Sequence, residues 1–310
     1  MTDLTSLSGA ALRPFSFGTM QFGGRADDTA SRAMFEDARA AGIAHFDTAW
    51  VYTDGRSEEI LGSFVRDIRQ EVYVATKVGY SGGAGRENLL DQFDQSRRRL
   101  GLDMVDLLYL HRFDPDTDLR ETVETFARMQ SDGGIRHIGL SNFAAWQVMK
   151  AQAIAAEFGT RIDAMQPMYS LVKRQAEVEI LPMCADQDIA PCTYSPLGGG
   201  LLTGKYAAGG SGRLTEDERY AARYGDQAMH AAAEGLAALA EQEGLHPATL
   251  AVAWVAASPF GAQPILSARS SEQLAPSLAA LDLALSPELY AEISALMPAP
   301  PPATDRTEES

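Results

Sequence analysis

The segment "EVYVATKVGYSGGAGRENLLDQFDQSRRRLGLDMVDLLYLHR", residues 71–112, contains a complete strand–helix–strand unit. Its two apolar runs, "EVYVATK" and "MVDLLYL", are short enough to be buried strands. Between them, "RENLLDQFDQSRRRLG" is an amphipathic, helix-like stretch that closes on glycine, a common stop signal. The same alternation recurs on both sides. Further strand-like runs are "FSFGTM", "IAHFDTA", "IRHIGLS", "IDAMQP", "IAPCTYSP" and "AQPILSA". Helix-like stretches such as "DDTASRAMFEDARAAG", "LRETVETFARMQSDGG" and "AAWQVMKAQAIAAEFG" separate them. Strands alternating with helices form βαβ units and a parallel sheet. Eight strand-like runs in a chain of 310 residues fit a (β/α)8 barrel. An open doubly wound sheet is the weaker alternative, because the G-x-G-x-x-G turn that opens most dinucleotide-binding sheets is absent.

The reading is of one barrel domain over residues 1–297. A Pro-rich and then polar tail, 298–310, has the composition of a disordered segment. Residues 206–227 break the βα rhythm and carry Arg213, Arg219 and Arg223; a loop of that length is usually functional or mobile. The net charge of −16 argues against a broad nucleic-acid or anionic-membrane surface. Two cysteines without CxxC spacing indicate neither a disulfide framework nor a thiolate metal site, and they fit a reducing, cytoplasmic compartment. The histidines show no metal-binding spacing, so no metal is expected. No signal peptide or membrane-length apolar run is apparent.

A barrel of this type places its active site at the C-terminal ends of its strands. Those ends deliver Asp47, Lys77, His111, Ser141 with Asn142, Gln166, Tyr194 with Ser195, and Ser267 with Arg269. A single charged residue at a strand end is usually a solvated cap. Asp, Lys and His on neighbouring strands at one rim are harder to explain that way, since Lys and Asp are rarely buried unpaired. Tyr52 lies five residues beyond Asp47. A phenol titrates near ~10, and an adjacent ammonium held by a carboxylate lowers that value. Asp47, Tyr52, Lys77 and His111 therefore read as a tuned proton donor with an orienting imidazole. His45 is expected to be a packed core histidine and Cys192 an inert core thiol. Phe22, Trp50 and Phe113 follow strand ends and are candidates for an apolar substrate pocket.

The ordered set "FDTAWVY", "ATK", "LYLHR", "GLSNF", "YSPLGGGLLTGKY" and "ARSSEQL" resembles the aldo-keto reductase superfamily over residues 15–297. The resemblance implies a barrel that binds NADP(H) in an extended form and reduces an aldehyde or ketone. It implies that Tyr52 is the general acid, that Lys77 and Asp47 tune it, and that His111 places the carbonyl. It also implies cofactor contacts from Thr19, Met20, Asp47, Ser141, Asn142 and Gln166. Tyr194 would stack on the nicotinamide, with Ser195, Pro196, Leu197, Gly199 and Leu201 alongside. Lys205 would approach the pyrophosphate, and Arg213 is the loop residue placed nearest to it. Gly199, Gly204 and Lys205 also fit G-x-x-x-x-G-K, but Tyr206 stands where a P-loop needs Ser or Thr, which argues against an NTPase. Ser267, Arg269, Gln273 and Ser277 would face the adenosine end, Arg269 reading the 2′-phosphate. Ser267, Pro276 and Ser277 depart from the family pattern, which predicts weaker adenine contacts or greater tolerance of NAD(H).

Two rival readings stand beside the reductase. One is a cofactor-bound sensing or partner-binding subunit with slow turnover. The other is a Schiff-base lyase using Lys77, which an ion pair with Asp47 disfavours. Oligomeric state and natural substrate are not legible.

Overall fold

A computed structural model describes residues 4–206, 209–306 and 308. Eight parallel strands close into a barrel in sequence order, β1 pairing with β8. The strands are β1 (Ser16–Gly18), β2 (His45–Asp47), β3 (Tyr73–Val78), β4 (Val105–Leu110), β5 (Ile135–Ser141), β6 (Ala164–Gln166), β7 (Ala190–Thr193) and β8 (Gln263–Leu266). All eight strand-like runs of the sequence become these strands. Every residue of β3 and β4 is buried, as expected for strands covered on both faces.

Strand parity sorts the core. Tyr73, Ala75, Leu107, Tyr109, Ala164, Ala190, Cys192 and Ile265 fill the barrel, with Leu4 packed among them. The alternating residues Val74, Val78, Leu108 and Leu110 face outward, into the layer beneath the helices. His45 is buried in the barrel, where its Nδ1 meets Ser16 Oγ at 3.0 Å.

The helical layer comprises α1 (Asp28–Ala40), α2 (Arg56–Val65), α3 (Arg86–Leu100), α4 (Leu119–Ser131), α5 (Ala145–Glu157) and α6 (Ile180–Asp186). Local sequence explains the ends. The Asp27 side chain accepts from Ala30 N and starts α1. Gly101 adopts φ 65° and stops α3. Gly62 allows α2 to approach α3: a Cβ there would meet Leu100 O at 2.2 Å.

The β7–β8 connection is long. Contrary to the expected loop, residues 206–227 carry two short helices, α7 (Arg213–Glu216) and α8 (Glu218–Arg223). Then α9 (Gln227–Gln242) and α10 (Pro247–Ala256) return the chain to β8, and α11 (Ser271–Leu278) and α12 (Pro287–Ala295) follow it. Among the described residues of 298–310 there is neither an α-helix nor a strand. Among the described residues no helix is long and apolar enough to cross a membrane.

Candidate active site

Inward parity at the upper ends of β2, β3 and β4 brings three polar side chains together. Asp47 follows His45 by two residues, Lys77 follows Tyr73 and Ala75, and His111 lies two beyond Tyr109. Lys77 Nζ donates to Asp47 Oδ2 at 2.5 Å, to the Thr48 carbonyl at 2.7 Å and to Tyr52 Oη at 3.4 Å. Lys77 is 1% exposed and Asp47 3%. Removing either partner of such a buried pair leaves an uncompensated charge, at about 3–5 kcal/mol.

Tyr52 begins a tight turn in which Thr53 and Asp54 both adopt left-handed φ, 47° and 54°. Neither is glycine, so the turn is strained and must be held from outside. Thr53 Oγ1 donates to the Phe22 carbonyl at 2.9 Å and accepts from Ser57 N at 3.0 Å. Behind it, Ser57 Oγ meets Thr19 Oγ1 at 2.8 Å and Thr48 Oγ1 at 2.9 Å. This buried hydroxyl network fixes where the phenol stands.

Burial lifts the Tyr52 pKa above its ordinary value of 10.0; Lys77 opposes the rise without cancelling it. The expectation of a lowered value is therefore not met, because desolvation outweighs the ammonium. The phenol is fully protonated at neutral pH. For Lys77, burial pulls the pKa down, but Asp47 and Tyr52 prevail and hold it above its ordinary value. His111, desolvated and facing Lys77 and Arg112, drops to about 3, so its imidazole is neutral. The His111 and Tyr52 rings meet edge to face at 6.0 Å, and His111 Nδ1 is buried without a partner.

Neighbouring strands complete the rim. Gln166 Nε2 donates to Asp47 Oδ1 at 2.9 Å, fixing the carboxylate's second oxygen. Asn142 Nδ2 donates to the His111 carbonyl at 3.0 Å and to Ser141 Oγ at 3.1 Å. Its Oδ1 accepts from Tyr194 Oη at 2.7 Å.

Two joined clefts open on this rim. The larger, about 780 Å³, holds Tyr52, Asp47, His111, Met20, Ser141, Asn142, Gln166 and Tyr194. The second, about 440 Å³, is lined by Pro196, Leu197, Gly199, Lys205, Arg269, Gln273 and Ser277. Ser195, Ser267, Gln21 and Ile265 line both. Most sequence-predicted cofactor residues thus lie along one continuous groove.

Some do not. Thr19 is fully buried beneath Asp47 as a brace, and Leu201 is 2% exposed in the core. Phe22 is fully buried against Phe17 and Phe64, so it packs the core and lines neither cleft. Trp50 donates from Nε1 to Gln95 and stacks near Arg99; Phe113 packs on Phe143 and Trp146. The Arg213 side chain lies outside the described residues. Glu216 in α7 instead reaches the rim, pairing with Arg25 at 2.9 Å and Arg269 at 3.4 Å. Sequence reasoning missed Glu216 and Arg25, whose spacing does not link them to the strand ends, and it passed over Tyr80 and Arg112, which lie just beyond β3 and β4.

Fold and site together define a (β/α)8-barrel protein with an acid–base constellation at the mouth of its barrel. The chain belongs to the Aldo/keto reductase family, whose model matches residues 14–298. Membership assigns it to the oxidoreductases, with small carbonyl compounds as the general substrate class. A probable voltage-gated potassium channel subunit beta of Oryza sativa subsp. japonica is 32% identical, covering 96% of this chain and 97% of that protein. An uncharacterized oxidoreductase of Bacillus subtilis (strain 168) is 30% identical over 94% of each. Aflatoxin B1 aldehyde reductase member 2 of Rattus norvegicus is 36% identical over 65% of this chain and 57% of its own length.

Proposed function

We propose that this protein reduces an aldehyde or ketone to the alcohol at the expense of NADPH, with Tyr52 as the proton donor. The observation that carries this reading is Tyr52 lining the larger cleft, backed by the buried Lys77–Asp47 pair. The adjoining cleft fits the cofactor. Lys205 and Arg269 offer positive charge there, and Ser267 Oγ is buried without a partner. Gly199, at φ 65°, exposes backbone where a Cβ would meet Tyr220 at 2.9 Å.

A nicotinamide cofactor, which Lys205 and Arg269 would help to hold in the adjoining cleft, would supply the hydride for the carbonyl carbon. Tyr52 gives its proton to the carbonyl oxygen, and Lys77 stabilises the phenolate left behind. Asp47 holds Lys77 in place, and Gln166 holds Asp47. His111, being neutral, contributes a hydrogen bond rather than a charge. Tyr52→Phe removes the proton donor alone, so aldehyde-dependent NADPH oxidation is expected to fall by ~10² or more, while cofactor affinity stays close to wild type. Turnover near wild type in that variant would falsify the assignment.

A second reading, a cofactor-holding subunit for another protein, draws support from the name of the rice relative. Tight NADP⁺ binding with no turnover across an aldehyde and ketone panel would favour it. The Schiff-base reading loses ground, because Asp47 and Tyr52 keep Lys77 as an ammonium. Borohydride trapping should therefore leave Lys77 unlabelled.

A further inference from the structure

Four arginines, Arg25, Arg112, Arg219 and Arg223, line the cleft that holds Tyr52. Two are neutralised locally: Arg25 by Glu216 at 2.9 Å, and Arg219 by Asp217 at 2.8 Å. Among the described residues Arg112 and Arg223 make no ion pair. Each lies over a tyrosine ring instead. Arg112 Cζ is 5.0 Å from the Tyr80 centroid, and Arg223 Cζ is 5.3 Å from that of Tyr220. Stacking on an aromatic face orients a guanidinium while leaving its N–H edge free for a ligand.

Both tyrosines line the same cleft as the two arginines. Tyr80 packs on His111 at 4.9 Å, and His111 packs on Tyr52. Tyr220 and Arg223 belong to α8. Among the described residues the carboxylates lining this cleft are Asp47, neutralised by Lys77, and Asp217, neutralised by Arg219. The mouth is therefore positive on a chain of net charge −16. Such local inversion of sign concentrates anions at the site and repels cations. The cofactor phosphates have their own groups, Lys205 and Arg269, in the adjoining cleft, which neither Arg112 nor Arg223 lines.

We propose that the substrate is a carbonyl compound bearing a carboxylate, which Arg112 and Arg223 hold while its carbonyl group meets Tyr52. The planar forks of the two guanidiniums match the two oxygens of a carboxylate. This deepens the reductase reading and rests on it. The test compares kcat/KM for 4-carboxybenzaldehyde with that for its neutral analogue 4-carbamoylbenzaldehyde. In the wild type the carboxylate substrate should be preferred at least ~10-fold at low salt, the preference shrinking as salt screens it. In the double variant Arg112→Gln/Arg223→Gln the ratio should approach one. Equal kcat/KM values in the wild type, or a preference retained in the double variant, would overturn the proposal.

Calorimetry with the product, 4-(hydroxymethyl)benzoate, separates this from the parent reading. If the wild type reduces no aldehyde, the reductase reading fails, yet weaker product binding in the double variant still supports the carboxylate site. If the double variant instead weakens NADP⁺ and leaves the product's affinity alone, these arginines serve the cofactor and the proposal is wrong.

Discussion

At the scale of single residues, Asp47, Lys77 and His111 were legible because each stands at the C-terminal end of a strand-like apolar run. Tyr52 was legible through its distance from Asp47 and its resemblance to a family motif. The direction of its pKa was not, because that depends on how far desolvation outweighs Lys77. Arg269 offers a separate check. It lines the smaller cleft and makes a partly exposed pair with Glu216. Arg269→Ala is expected to weaken NADPH by about 2 kcal/mol, the scale of a hydrogen bond to a charged group, and NADH much less. Paired dissociation constants for the two cofactors decide it, and equal losses would mean that Arg269 reads something they share.

At the scale of elements, the eight strands and most helices followed from apolar periodicity, whereas α7 and α8 did not. Their sequence is polar and glycine-punctuated, and they fold against the rim through contacts that lie far apart in the chain. Glu216 pins this segment to Arg25 in the larger cleft and Arg269 in the smaller one. Partly exposed pairs contribute only about 0.2–1 kcal/mol each, so the pin opens easily. A phosphate arriving at Arg269 would compete with Glu216 for the same guanidinium. Residues 209–226 should then re-close over bound cofactor, excluding water from the reacting carbonyl. Hydrogen exchange with and without NADP⁺ tests this. Clear slowing across the segment is expected. Unchanged exchange there, with protection appearing at Ser141 and Gln166, would make it a bystander. Glu216→Gln should speed exchange in the free protein.

At the scale of the whole molecule, two buried histidines set a limit on acid stability. Burial, assisted by Lys77, lowers both His45 and His111 to about 3 from 6.5. Below 6.5 the unfolded chain takes up protons that the folded one refuses, so stability declines as pH falls from there toward 3. The slope is about 1.4 kcal/mol per pH unit for each histidine. Approach to the isoelectric point near 4.7 relieves negative self-repulsion and acts in the opposite sense. The histidine contribution is therefore best isolated by difference. Between pH 7.5 and 5, Tm should fall more steeply in the wild type than in His45→Gln. Parallel curves would show that His45 does not carry the effect.

Ser16 pairs with Ile265, and Phe17 with Leu266, so the first strand can be sealed only by the last. During synthesis roughly 250 residues must follow β1 before its partner exists, about 10–50 s at ordinary elongation rates. Throughout that interval β1 presents an unpaired edge on the growing chain, a template for wrong pairing. Asp47, Tyr52, Lys77 and His111 precede β8 in the chain, whereas Arg269 and Gln273 follow it. A nascent chain that lacks β8 therefore carries neither of these two residues, and a ligand that needs them can assist folding only once β8 has been made.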